Sequence, residues 1–133
     1  MQKLRVYQSL WAMELRRLDG FEYSDEERFK MIAEAGYDGV CLDPAPHEIE
    51  ENLAKKHLFE KHNLAYMVNA FPSSDDNLRE LLQFSKDMNA TTISIIGTTF
   101  PLTPQQAQPI IERWMDIATD TVSYTHLTLP TKA

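Results

Sequence analysis

Four short apolar runs alternate along the chain with longer segments of mixed polarity. The runs occupy residues 4–11, 37–42, 64–70 and 91–96. The last three begin at Tyr37, Leu64 and Thr91, which are equally spaced. Each run is short and rich in Val, Ile, Leu, Tyr or Thr, as is typical of buried parallel strands. The pattern therefore predicts four strands separated by helices.

Residues that start and stop helices lie between the runs. Ser24 with Glu27, and Thr103 with Gln106, form two capping boxes, in which each side chain accepts from a free backbone N–H of the first turn. Gly36 has the freedom to end the first helix in the left-handed conformation. Apolar positions at helical spacing follow these starts. We expect helices after residues 24, 74 and 103, the last one kinked at Pro109, and a less regular helix within 43–63.

Strands that alternate with helices predict successive βα units of a parallel sheet. Four such units suit either half of an eight-stranded barrel or most of a doubly wound open sheet. A nucleotide-binding open sheet usually carries a glycine-rich turn after its first strand, but here the first glycine is Gly20. We therefore predict an α/β fold, a partial (β/α)8 TIM barrel of about four βα units over residues 1–121.

Composition narrows the function classes. The 133 residues carry a formal net charge of −7, which argues against a nucleic-acid partner because phosphate backbones call for a basic stripe. No apolar run approaches the roughly 20 residues that span a bilayer, so we expect no membrane partner. The single cysteine, Cys41, excludes an internal disulfide. These features favour a cytoplasmic protein.

Residues 122–133 are expected to be foreign to the fold. Residues 122–131 read Val-Ser-Tyr-Thr-His-Leu-Thr-Leu-Pro-Thr. This resembles the translation of a transposon-end sequencing adapter, GTC TCT TAT ACA CAT CTG ACG CTG CCG ACG. Such scars are excluded from fold reasoning. We therefore expect residues 1–121 to be the N-terminal half of a longer barrel, and 122–133 to be a non-native tail.

Two segments carry a family resemblance. Residues 6–13 read Val-Tyr-Gln-Ser-Leu-Trp-Ala-Met, and residues 31–40 read Met-Ile-Ala-Glu-Ala-Gly-Tyr-Asp-Gly-Val. Both resemble sugar phosphate isomerases/epimerases of the xylose-isomerase-like TIM-barrel superfamily. The resemblance covers about residues 3–120 and implies a barrel about twice this length. It also implies a divalent metal (Mn, Mg, Co or Zn) in the full-length protein, held by Glu, Asp and His of later strands, so that this chain alone binds none.

Polar residues at the predicted strand ends are the candidate substrate-binding residues, since barrel active sites lie at the C-terminal ends of strands. Gln8 and Asn69 are suited to bonding sugar hydroxyls, Trp11 to facing a sugar ring, and Asp43 to accepting a hydroxyl. The alternatives are that Gln8 and Asn69 satisfy backbone groups, that Trp11 fills the mouth of the barrel, and that Asp43 caps a turn. Gly97 is suited to a close approach of phosphate or is an ordinary strand end.

The resemblance implies an isomerase or epimerase that moves a proton or hydride between carbons beside a carbonyl. Its partner is a small sugar or sugar phosphate, and a homo-oligomer is compatible with it. Catalytic residues are expected beyond this chain. A non-catalytic binding or regulatory barrel remains the alternative. A metal-dependent abasic-site nuclease is disfavoured by the acidity and by Asn69 and residues 96–98, where such relatives carry histidines.

Overall fold

A computed structural model describes residues 3–96 and 102–121 of the chain. In these residues, four parallel strands form one sheet in the order β1-β2-β3-β4, and five α-helices connect or follow them. The strands are β1 (Tyr7–Ser9), β2 (Gly39–Leu42), β3 (Ala65–Ala70) and β4 (Thr92–Ile95). The helices are α1 (Asp25–Glu34), α2 (Ile49–Leu53), α3 (Lys56–His62), α4 (Asp75–Asp87) and α5 (Pro104–Thr121). The predicted α/β class and parallel sheet are confirmed.

The helices all pack against the same face of the sheet. Along β3, buried and half-buried positions alternate, because successive side chains point to opposite faces. Its buried residues Tyr66, Val68 and Ala70 pack in one core with residues of α1, α3 and α4. Ile93 and Ile95 of β4 pack against the cluster that joins α4 to α5. No helix in the described ranges covers the other face, which we call the helix-free face.

The helix boundaries follow the predicted local chemistry. Ser24 and Glu27 form a complete capping box at the start of α1. Thr103 and Gln106 form the same pair at the start of α5, with N···O distances of 2.9 and 3.3 Å. Gly36 follows α1 with φ +83°, the left-handed conformation that glycine adopts without steric cost. These local predictions are confirmed, and α5 continues through Pro109.

The segment between β2 and β3 departs from the single helix expected there. It forms a 3₁₀ turn at Pro46–Glu48 and then the two short helices α2 and α3. Asn63 ends α3 with φ 51°, so an asparagine takes the left-handed position that glycine takes after α1. β1 is also shorter than its apolar run, because the chain turns into a 3₁₀ helix at Trp11–Met13.

Among the described residues, none of the helices has both the length and the apolarity needed to cross a bilayer. The predicted tail at 122–133 and the strand-end residue Gly97 lie outside the described residues.

Candidate functional site

A row of polar side chains crosses the helix-free face where the strands end. Leu42 pairs with Val68 in the register of β2 and β3, and the next residues, Asp43 and Asn69, therefore lie side by side. The Nδ2 of Asn69 donates a hydrogen bond of 2.7 Å to Oδ1 of Asp43. Asn69 also pairs with Ser94 of β4. Asp43, Asn69 and Ser94 thus form a continuous polar row over three strands, which we call the rim row.

The hydrogen bond within the rim row fixes what it offers to a ligand. The amide of Asn69 donates to Asp43, which orients the Asn69 carbonyl oxygen and occupies one carboxylate oxygen. An ionised carboxylate accepts at both oxygens, and an amide oxygen accepts at two lone pairs. The pair therefore retains several acceptor positions and is suited to ligands that carry O–H donors.

A cleft of about 160 Å³ lies beside the rim row, between the ends of β1 and β2 and helix α2. Trp11 and Asp43 line it together with the charged residues Glu14, Glu48 and Lys55. The structure thus brings together Trp11 and Asp43, two of the four predicted site residues. Cavities that hold small ligands usually measure about 300–1,000 Å³, so this cleft is a partial pocket.

A network of buried cations supports one wall of the cleft. The side chain of Lys55 is only 11% exposed. Its Nζ lies 3.2 Å from Oε1 of Glu51 and 3.7 Å from Oδ2 of Asp25. Asp25 is also 3.6 Å from the nearly buried Arg28, which bonds Glu22 at 2.5 Å. These contacts connect the loop after β1 to α1 and α2. They position the cleft, and each cation in it already has carboxylate partners.

Cys41 lies two residues before Asp43 on the helix-free face, and its thiol is buried. Burial, and secondarily the charge of Asp43, raises the pKa of Cys41 from its ordinary value of 9.0 to about 11. The thiolate is the nucleophilic form of cysteine. Cys41 is therefore a packing residue of β2.

Gln8 lies apart from the other three predicted residues. It pairs in register with Val40, which is fully buried in the core under the helices. Because paired residues of neighbouring strands share a face, Gln8 belongs to the helix side of β1. Its Nε2 donates to the carbonyl oxygen of Ser9 at 3.0 Å, which matches the alternative that Gln8 satisfies a backbone group.

The two histidines of α3 have structural partners. The Nδ1 of His57 lies 2.7 Å from the carbonyl oxygen of Ala54, and the Nε2 of His62 lies 3.0 Å from Glu26. Within residues 3–96 and 102–121, no three His, Cys, Asp or Glu side chains converge in a way that fits a metal ion. The described residues therefore do not provide the ligand set that the resemblance implies.

Sequence reasoning missed two residues of this region. Ser94 belongs to the rim row, and the signal was the alternation of Ser94 with Ile93 and Ile95, which places the serine on the opposite face from the isoleucines. Lys55 lines the cleft, but its role follows from the break between α2 and α3, which the weak apolar pattern of residues 43–63 did not reveal.

No family model, curated protein or solved structure matches the chain.

Proposed function

We propose that this chain forms half of a (β/α)8 barrel enzyme that isomerises or epimerises a small sugar or sugar phosphate. The observation that supports the barrel is the sheet itself: consecutive strands are parallel neighbours, and all five described helices pack on one face. A doubly wound sheet carries helices on both faces and changes its strand order at a switch point. A barrel keeps the order and leaves one face for its interior.

The rim row supports a polyhydroxylated substrate. In barrels of this type, the active site lies at the C-terminal ends of the strands, and that is where Asp43, Asn69 and Ser94 align. Their acceptor oxygens are suited to sugar hydroxyls, each of which has a donor to satisfy. Trp11, 68% exposed beside Asp43, offers a flat apolar surface of the kind against which the C–H face of a sugar ring packs.

The contribution that we assign to this chain is substrate binding. The divalent metal implied by the resemblance has no fitting ligand set in the described residues, and we therefore assign no chemical step to these residues through a metal. Asp43 and Asn69 would hold the substrate hydroxyls, and the packed wall behind them would exclude water on one side. The proton-transferring carboxylates and the metal ligands would belong to further βα units.

The test begins with long-read sequencing of the source locus across the codon of Thr121. We expect a reading frame that continues into further βα units with Glu, Asp and His at strand ends. The resulting protein should turn over ketose or aldose substrates with Mn²⁺ or Mg²⁺. Asn69→Ala should lower its kcat/KM about 10- to 100-fold, the effect of losing a hydrogen bond to a substrate. Gln8→Ala is the matched control and should leave kcat/KM within about twofold.

Two results would contradict the proposal. Robust turnover by the 133-residue chain alone would place the chemistry within it. A continued frame without acidic and histidine residues at its strand ends would instead favour the non-catalytic binding protein. In that case sugar binding would persist and turnover would be absent. Measuring both binding and turnover therefore distinguishes the enzyme from the non-catalytic binding protein.

A further inference from the structure

The cleft beside the rim row is lined by more negative than positive groups. Four carboxylates and one ammonium group line it, those of Glu14, Asp43, Glu48, Glu51 and Lys55. None of its described lining residues is an arginine, the side chain whose planar fork suits phosphate. A phosphate dianion that entered the cleft would therefore meet an excess of negative charge and be repelled.

Lys55 is the cation of this lining, and its ammonium group already has partners. The Nζ atom lies 3.2 Å from Oε1 of Glu51, 3.7 Å from Oδ2 of Asp25 and 3.5 Å from Oδ1 of Asn52. An ammonium group has three donors, which these three oxygens match in number. Lys55 would bind a phosphate only by leaving these partners, so it acts as a part of the wall.

The arginines of the loop after β1 and of α1 do not supply the missing positive charge. Arg17 bonds the two carboxylate oxygens of Asp19 at 3.1 and 2.6 Å. Arg28 is nearly buried and bonds Glu22 at 2.5 Å. Arg16 is exposed and lies outside the lining of the cleft. The charge of the lining is therefore not offset by these side chains.

The helix N-termini at this end of the sheet also carry negative charge. In βα units a helix begins near the end of the preceding strand, and its N–H groups attract anions there. The first turns of three helices contain acidic residues, which are Asp25, Glu26 and Glu27 in α1, Glu50 and Glu51 in α2, and Asp75 and Asp76 in α4. At the cleft itself, Oε2 of Glu48 accepts the N–H of Ala45 at 2.8 Å. A phosphate beside the cleft would thus meet carboxylates at these helix starts as well.

We infer that the cleft excludes phosphate and takes up an uncharged part of an unphosphorylated sugar. The inference rests on the proposed function, and it selects one of the two substrate classes named there. Sugar hydroxyls donate to carboxylates without adding negative charge, so Asp43 and Glu48 attract them and repel a phosphate. The apolar surface of Trp11 in the same lining suits the ring of such a sugar.

Fluorescence quenching of Trp11 tests this charge selectivity in the full 133-residue chain. Trp11 is 68% exposed and the second tryptophan, Trp114, is 8% exposed, so an added quencher acts mainly on Trp11. The quenchers are iodide, caesium and neutral acrylamide, each normalised to its effect on N-acetyltryptophanamide at equal ionic strength. We expect the normalised constant of iodide to be at least about threefold below those of acrylamide and caesium, because local potentials change ion concentrations by such factors.

Glu48→Gln is the variant that isolates the cleft. Its amide oxygen still accepts the N–H of Ala45, while the charge is lost. Iodide quenching should rise about twofold. Glu112→Gln is the matched control, because it makes the same change in net charge at an exposed residue of α5 outside the lining, and it should have no effect. Equal effects of the two variants, or equal normalised constants of iodide and acrylamide in the unsubstituted chain, would overturn the inference.

Turnover separates a failure of the inference from a failure of the proposed function. Each ketose or aldose that the protein of the continued reading frame turns over is compared with its terminal phosphate ester. The unphosphorylated sugar should have a kcat/KM at least about 10-fold higher. A preference for the ester would overturn the inference and leave the isomerase intact. Absence of turnover with sugars and esters alike would contradict the proposed function, and iodide quenching would still decide whether the cleft excludes anions.

Discussion

The aromatic ring of Tyr7 lies across Gly39 on the helix-free face, and its hydroxyl reaches Thr91, the residue before β4. A methyl group on residue 39 would lie 2.5 and 2.6 Å from two carbons of that ring and closer still to the carbonyl oxygen of Ala65. The Tyr7 hydroxyl donates to Oγ1 of Thr91 at 2.9 Å, because the Thr91 hydroxyl itself donates to the carbonyl oxygen of Tyr66. One side chain of β1 thus spans β2 and β3 and holds the start of β4.

Gly39→Ala should destabilise the protein by about 3 kcal/mol, the upper part of the range for overpacked sites, because the backbone oxygen beside it cannot swing away. Urea unfolding followed by circular dichroism measures the loss. Gly36→Ala is the control: a methyl there meets nothing within 4 Å, and its cost of about 1–2 kcal/mol comes only from the positive φ. Equal costs for the two variants would contradict the close packing of Ala65 and Tyr7 around Gly39.

Arg28→Met should lower the free energy of unfolding by about 2 kcal/mol. The Arg28 side chain is nearly buried, and its removal leaves Glu22 and Asp25 without their shared cation. Removing one partner of a buried pair costs roughly 3–5 kcal/mol, and the partial exposure of these carboxylates reduces that figure.

Lys30→Met on the same helix is the control for Arg28→Met. Lys30 is well exposed, and its pairing with Glu34 lies at the surface, so its loss should stay within about 0.5 kcal/mol. Thermal unfolding at pH 7 compares the two variants. Similar melting temperatures for both would show that the cations under the cleft do not stabilise the loop after β1.

The sequence predicted what depends on local spacing and left out what depends on register. Capping by Ser24 and Thr103 requires only neighbouring residues, and both capping boxes formed. The contact of Asp43 with Asn69 depends on which residue of β2 pairs with which residue of β3, and a one-residue shift would have put one of them on the opposite face. Gln8 illustrates this, since the apolar run around β1 did not indicate which of its residues faces the helices.

Cys41 should react slowly with thiol reagents in the folded protein. Its pKa is raised to about 11, chiefly by burial. At pH 8 the thiolate fraction is then about 100-fold smaller than in the unfolded chain, and the thiolate is the reactive form. The ratio of the reaction rates is measured with a chromogenic disulfide in buffer and in about 8 M urea, which unfolds most small proteins. A ratio near one would contradict the burial of this thiol.

The same raised pKa makes stability depend on pH above 9. Between pH 9 and pH 11 the folded thiol of Cys41 keeps its proton while the unfolded thiol loses it. The stabilising contribution is therefore fully present below pH 9 and is lost as the pH rises to about 11. Cys41→Ala removes this group, so its free energy of unfolding should fall less steeply over that window. Identical slopes for the two proteins would contradict the raised pKa.

Asn69→Asp should destabilise the rim row at neutral pH and not in acid. The substitution sets a second carboxylate against Asp43, where the amide now donates at 2.7 Å. Two carboxylates in contact cannot both ionise cheaply, so the pKa of the pair rises in the folded state. The folded state then binds more protons than the unfolded state, and stability rises as the pH falls. We expect the free energy of unfolding to fall by about 2 kcal/mol at pH 7, which is the size of effect seen when a hydrogen bond to a charged group is removed. Near pH 4 this loss should largely disappear.

The double substitution D43N/N69D is the matched control, because it exchanges the donor and the acceptor. One amide and one carboxylate again face each other, and the hydrogen bond can form with reversed direction. Its unfolding free energy at pH 7 should therefore exceed that of N69D by about 1–2 kcal/mol, the value of a charge-assisted hydrogen bond. Equal stabilities of the single and double variants, or a loss in N69D that does not change between pH 7 and pH 4, would show that Asp43 and Asn69 do not interact. The rim row would then lose the contact that orients its acceptor oxygens.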